Sequence, residues 1–188
     1  FLMLNTCDGA EDLIGYATRF GDGAGDIGAD AARGKGDVET MLYWFYRRSG
    51  RRLSATYRCL TETVSSPELE PGQHAESDNC PYTVIDQLRK WFVEDHLSPS
   101  QMYLAPGTLW TNEELHALDS RYEGRATLKL WIAQVIIKFA ANVHKLSVAP
   151  LCVAVDSATS FDRRFFPFPI SQRNVFAADL EEMWKLPE

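Results

Sequence analysis

The stretch "ATLKLWIAQVIIKFAANVHKL", residues 126–146, decides how the rest of the chain is read. It is long and apolar enough to cross a bilayer, yet Lys129, Gln134, Lys138 and Asn142 interrupt it. A charge held near the middle of a bilayer is costly, so the segment reads as a helix buried in a protein core, about 126–145. No membrane span is expected, and the remaining elements should pack around this helix.

Towards the C-terminus, Leu151 to Val155 is short, apolar and β-branched, which predicts a buried strand. "RRFFPFPI" (163–170) cannot be a central strand, because Pro167 and Pro169 have no N–H to donate. "VFAADLEEMWKL" (175–186) predicts a last helix. Towards the N-terminus, Gly124 separates the long helix from one that starts at a capping box, Thr111 with Glu114, and runs to about Tyr122. "VETMLYWFYRRS" (38–49) reads as a helix capped by Asp37 and stopped by Gly50. "RLSATYRCLTETV" alternates in strand fashion over about 53–63, although its apolar side is weak. Residues 9–20 suggest a short helix with Leu13, Ile14 and Ala17 on one face. The expected fold is a mainly helical α+β single domain, residues 1–188, with a small sheet and the long helix at its centre.

Composition agrees with a globular chain: of 188 residues, 45% are hydrophobic and 24% charged. Six of the twelve glycines fall within residues 21–36, which predicts a flexible Gly/Asp-rich loop at 21–37. Asp22, Asp26 and Asp30 there lack the alternate spacing of a calcium loop, so a solvated linker is the expected state. A second, polar connection is expected at 65–79. The net charge of -7 argues against nucleic acid as a partner, with "RRSGRR" (Arg47, Arg48, Arg51, Arg52) as the sole basic patch. Four cysteines, Cys7, Cys59, Cys80 and Cys152, form no CxxC pair. Two disulfides or four reduced thiols both fit, and the even count with no initiator Met leans the chain towards secretion. No cofactor is implied.

Two stretches invite a functional reading. In "SDNCPYTVIDQLRKWFVEDHL" (77–97), Cys80 stands directly before an expected helix with Pro81 as its first residue. A thiol at a helix N-terminus is favoured as thiolate, and nearby amides could bind an oxyanion. The order Cys80, His144, Asp156 is the one used by papain-like cysteine hydrolases, and "DNCPYTVIDQL" resembles the start of their catalytic helix. The resemblance implies hydrolysis of an amide or ester, with Cys80 as nucleophile, His144 as base and Asp156 as its orienting carboxylate. Against it, His144 falls in a helical pattern, and Pro81 cannot donate a backbone N–H. The spacing 80, 84, 88, 91 also continues a buried stripe.

The other stretch is "LYWFY" (42–46) followed by arginines. Four consecutive aromatics on a helix cannot all face one core. Tyr43, Trp44, Tyr46, Arg47, Arg48 and Arg51 therefore form a candidate partner surface, with residues 161–170 as a candidate extension of it. A non-catalytic interaction or assembly protein, binding a protein partner or itself through residues 42–52, is the expected function; the cysteine hydrolase is the alternative. Histidines 96 and 116 with Glu123 lack the close pairing of a metal site, and no GxSxG, Walker A or GxGxxG motif is present.

Overall fold

A computed structural model describes residues 1–18, 20–21, 23–49, 54–62, 71, 79–105, 111–146, 151–152 and 176–187. The described chain is mostly helical with a small sheet, an α+β arrangement. Three two-residue strands, β1 (Leu4–Asn5), β2 (Ile27–Gly28) and β3 (Leu151–Cys152), lie parallel in the order β1-β2-β3. Leu4 pairs with Ile27 and Asn5 with Gly28; Ile27 in turn pairs with Leu151 and Gly28 with Cys152. The middle strand thus comes from inside the glycine-rich stretch expected to be loop. Asp26 fixes its approach, its carboxylate accepting from the Met3 amide at 2.8 Å.

The helix α1 (Gly9–Ile14) follows β1. Asp8 caps it, accepting from the Ala10 and Glu11 amides at 2.9 and 3.0 Å, while Glu11 accepts from the Asp8 amide. The expected extension to residue 20 does not occur, because Gly15 turns into the left-handed region (φ 61°). Asn142 and Lys145 then take over the carbonyls of Ile14 and Gly15, at 3.0 and 2.6 Å. α2 (Lys35–Arg48) begins earlier than Asp37 predicts. The reason is tertiary: Asp86 accepts from the Lys35 and Gly36 amides at 3.1 and 3.0 Å, capping α2 from another helix.

The segment expected as a strand at about 53–63 is instead helix α3 (Ser54–Glu62). Its alternation was weakly apolar, and its contact with α2 decides the matter. Tyr57 stacks on Tyr46 with centroids 4.6 Å apart and meets Tyr43 at 6.2 Å. An i,i+4 pair, Arg58 with Glu62 at 3.2 Å, adds to the helical state.

α4 (Tyr82–Arg89) starts one residue after Pro81, its N-cap, and widens into a π-helical turn over Lys90–Glu94. That turn buries three consecutive residues, Trp91, Phe92 and Val93, which an α-helical face could not do equally well. α5 (Pro99–Leu104) and α6 (Asn112–Leu118) both open on capping boxes, the second being Thr111 with Glu114 as expected. α7 (Arg125–Leu146) is the long central helix. By length and composition alone it could span a bilayer; here Leu128, Ile132, Val135, Ile136 and Phe139 lie in the core. Lys129 is buried with them, its ammonium donating to the Leu186 carbonyl at 2.6 Å. α8 (Ala177–Lys185) closes the chain against α5 and α7.

Candidate functional site

In open parallel sheets, ligands sit beyond the carboxyl ends of the strands, where loops and helix starts converge. Here β1 and β2 lead at that end into Asp8 and, after the turn at 29–34, into Lys35. Asn5 at the end of β1 is buried and braces the turn, its Oδ1 accepting from the Cys7 amide at 2.9 Å. Beyond it the Lys35 ammonium stands 3.3 Å from Asp8 Oδ2 and 3.7 Å from Glu11 Oε1. The same ammonium lies 5.1 Å from the centre of the Tyr82 ring. Arg89, 4% exposed, completes the group from α4, donating to the Ala32 carbonyl at 2.8 Å and pairing with Glu94 at 3.5 Å.

Close packing of backbone makes the cluster possible. A Cβ on Gly9 would lie 2.6 Å from Arg89 Nε and 2.9 Å from the Arg33 carbonyl oxygen, so no larger residue fits there. The Gly9 amide donates to that same carbonyl at 2.6 Å, tying α1 to the end of the glycine-rich stretch.

Charge is not evenly compensated in this group. Burial, reinforced by the neighbouring Asp8 carboxylate, pushes Glu11 up to about 7, although Lys35 opposes the rise. Asp12 is likewise pushed up to about 7 by burial and by Asp8 and Glu11, with Arg89 opposing. Burial also raises Asp86, against its two backbone hydrogen bonds. For Lys35 burial works against the ammonium, but Asp8 and Glu11 outweigh it and hold its pKa above the ordinary lysine value. The result is two carboxyl groups that exchange protons near neutrality beside a fixed cation. Such a set can relay a proton or orient a polar ligand. Among the described residues no group of three or more His, Cys, Asp or Glu side chains is arranged to hold a metal ion.

None of the residues expected to be catalytic belongs to this cluster. Cys80 is 1% exposed and a free thiol, and burial pushes its pKa up to about 12. The helix start that would favour a thiolate is thus overruled by desolvation, and the sulfur sits with Val84, Leu88 and Trp91 in the core. His144 lies on α7, where its Nδ1 is 3.1 Å from the Ala141 carbonyl oxygen. Asp156 lies outside the described residues, as do Arg51 and residues 161–170. Tyr43, Trp44, Arg47 and Arg48 are exposed on α2, and Tyr46 is partly covered by α3. Asp8, Glu11, Asp12, Lys35, Asp86 and Arg89 are absent from the sequence-based candidates. Asp8 and Glu11 did carry a signal, since "DGAE" is itself a capping-box pattern.

In a parallel sheet followed by helices, the groups gathered past the strand ends mark the place where a ligand site is sought. The chain belongs to the NAD synthase family, whose family model matches residues 1–124 and so takes in every residue of the cluster. Similar proteins include the glutamine-dependent NAD(+) synthetases of Thermotoga maritima, 28% identical over 106 residues, and of Synechocystis, 33% identical over 101. Each match covers 54% of this chain, which spans only 17% of the relative's length. A solved glutamine-dependent NAD(+) synthetase from Cytophaga hutchinsonii shares the fold, with a TM-score of 0.70 and 22% identity. That alignment covers 97% of this chain and 26% of the other.

Family membership overturns the expected function. Neither a non-catalytic interaction protein nor a papain-like cysteine hydrolase is consistent with it, and the lean towards secretion conflicts with it as well; Cys7, Cys59 and Cys80 are free thiols.

Proposed function

We propose that this chain forms part of the synthetase unit of an NAD(+) synthetase, and that Asp8, Glu11, Asp12 and Lys35 line its ligand site. The observation that carries this reading is the coincidence of the family match, residues 1–124, with the charged cluster at the carboxyl ends of β1 and β2. One hydrophobic cluster joins α1, α4, α5, α6, α7 and α8, which supports reading these helices as one packed unit. Lys35 supplies the fixed positive charge, suited to an anionic or carbonyl oxygen, while Glu11 and Asp12 hold or release protons near neutral pH.

Calorimetric titration with NAD(+) tests the reading. The chain should bind the dinucleotide, and Glu11→Gln and Lys35→Met should each weaken binding about tenfold or more, as expected when a charged partner of a ligand is removed. No binding by the unaltered chain, or binding by both variants as tight as that of the unaltered chain, would overturn it.

A further inference from the structure

α2 contributes Lys35 to the carboxylate cluster, yet none of its 14 residues is buried, so core packing does not fix where the helix begins. A local cap does not fix it either, because the residue before Lys35 is Gly34, which has no side chain to offer the first amides. Placement comes instead from one face of α4. Asp86 Oδ1 accepts from the Lys35 amide at 3.1 Å, and Oδ2 from the Gly36 amide at 3.0 Å. One turn earlier on the same helix, the Tyr82 ring centre lies 5.1 Å from the Lys35 ammonium. One turn later, Arg89 donates to the Ala32 carbonyl at 2.8 Å and so holds the turn that leads into Lys35. The three side chains meet the ammonium, the backbone and the approach of a single lysine.

We propose that Asp86 is a positioning residue: it sets the Lys35 ammonium where that cation meets the ligand, without touching the ligand itself. This rests on the reading of the carboxylate cluster as the ligand site. A lysine carries its charge on a flexible four-carbon stem, so where the ammonium stands depends on where its backbone is held. Both oxygens of Asp86 are engaged, which fixes direction as well as distance. An amide in their place could accept only once, and its NH2 group would face a backbone N–H. Gly34 meets the same carboxylate from the other side. Its φ of -74° suits any residue, yet a Cβ there would lie 2.6 Å from Asp86 Cγ and Oδ1. A side chain at position 34 therefore displaces the carboxylate without changing any charge. Helix capping alone would also explain two hydrogen bonds to amides. A cap that served only the stability of α2 would leave the ammonium in place, however, because Asp8 at 3.3 Å and Glu11 at 3.7 Å hold it from α1.

Two readouts test this, on variants shown to be folded by circular dichroism. The first needs no ligand: the carbon–nitrogen NMR correlation of the Lys35 ammonium, identified by its loss in Lys35→Met. Asp86→Asn and Gly34→Ala should both shift it, as the ammonium leaves the Tyr82 ring and its carboxylates. Gly34→Ala keeps every charge, so its shift reports displacement alone, and a signal unmoved in that variant overturns the proposal. The second readout is calorimetric titration with NAD(+). Asp86→Asn and Gly34→Ala should each weaken binding about fivefold or more, but less than about twofold once Lys35 is already Met, because the effect passes through that ammonium. Binding as tight as that of the unaltered chain overturns the proposal. So does a loss of equal size in the Lys35→Met background, since Asp86 would then act by another route. If the unaltered chain does not bind NAD(+), the reading of the ligand site fails, and the Lys35 signal alone decides whether Asp86 places the ammonium. The same signal decides if Lys35→Met leaves no measurable binding. Should Asp86→Asn not fold, Gly34→Ala carries both readouts.

Discussion

The Lys35 ammonium lies 3.3 Å from an Asp8 carboxylate whose side chain is only 5% exposed. Asp8 thereby serves two neighbours, its Oδ1 capping α1 and its Oδ2 holding the first residue of α2. Removing the cation leaves Asp8 and Glu11 facing each other without compensation. Lys35→Met should therefore destabilise the chain by about 1–3 kcal/mol, read as a lower urea midpoint with an unchanged slope. In an Asp8→Asn background the same substitution should cost distinctly less, and a double-mutant cycle returning no coupling would show that the pair contributes nothing.

Stability should also depend on pH through Glu11 and Asp12. Both are raised to about 7 in the folded chain from the ordinary values 4.5 and 3.8 that stand for the unfolded one. Between those limits the folded state binds more protons, so protonation favours folding. The stabilisation is complete below about pH 4 and is lost as pH rises through about 7. Lys35, raised above its ordinary value, stays charged throughout this window. Denaturation at a series of pH values should show stability from these groups falling towards neutrality, by roughly a kcal/mol or more per group. Glu11→Gln and Asp12→Asn should each flatten the slope; a slope unchanged in both would place the titration elsewhere.

Cys80 should be chemically silent in the folded chain. Its thiol is 1% exposed and raised to about 12, so both access and thiolate fraction are low. Alkylation by iodoacetamide at neutral pH should be at least about a hundredfold slower in the native chain than in urea. Rapid native labelling at Cys80, located by peptide mass mapping, would contradict the buried placement.

How much of this could be read beforehand varied with the range of the interactions involved. The long helix, expected at about 126–145 and found as Arg125–Leu146, is set by its own apolar run. The Thr111–Glu114 box is equally local, with both partners inside one turn. By contrast, β1 and β2 have two residues each and no periodicity to detect; they exist because distant backbone segments pair. The start of α2 depends on Asp86, about fifty positions away, and local capping rules pointed to Asp37 instead. α3 alternated like a strand until Tyr57 found α2. The candidate site belongs to the same long-range category: Asp8, Lys35 and Arg89 become neighbours only when α1, α2 and α4 are assembled. Cys80 shows the converse, since a position before a helix suggested reactivity and packing removed it.

Gly15 offers the sharpest test of how α1 meets α7. Its φ of 61° is a conformation that side chains disfavour, and an added Cβ would lie 2.3 Å from Asn142 Cβ. The two helices are held at that distance by Asn142 and Lys145, which bond the last carbonyls of α1. Gly15→Ala must therefore both strain the turn and push α7 away, breaking those bonds as it does so. The expected loss is about 2–4 kcal/mol, larger than the left-handed penalty of about 1–2 kcal/mol alone. Thermal unfolding of the variant measures it. A loss no greater than the backbone penalty would mean that α7 yields freely, and that the contact does not position α1 or the carboxylates it carries.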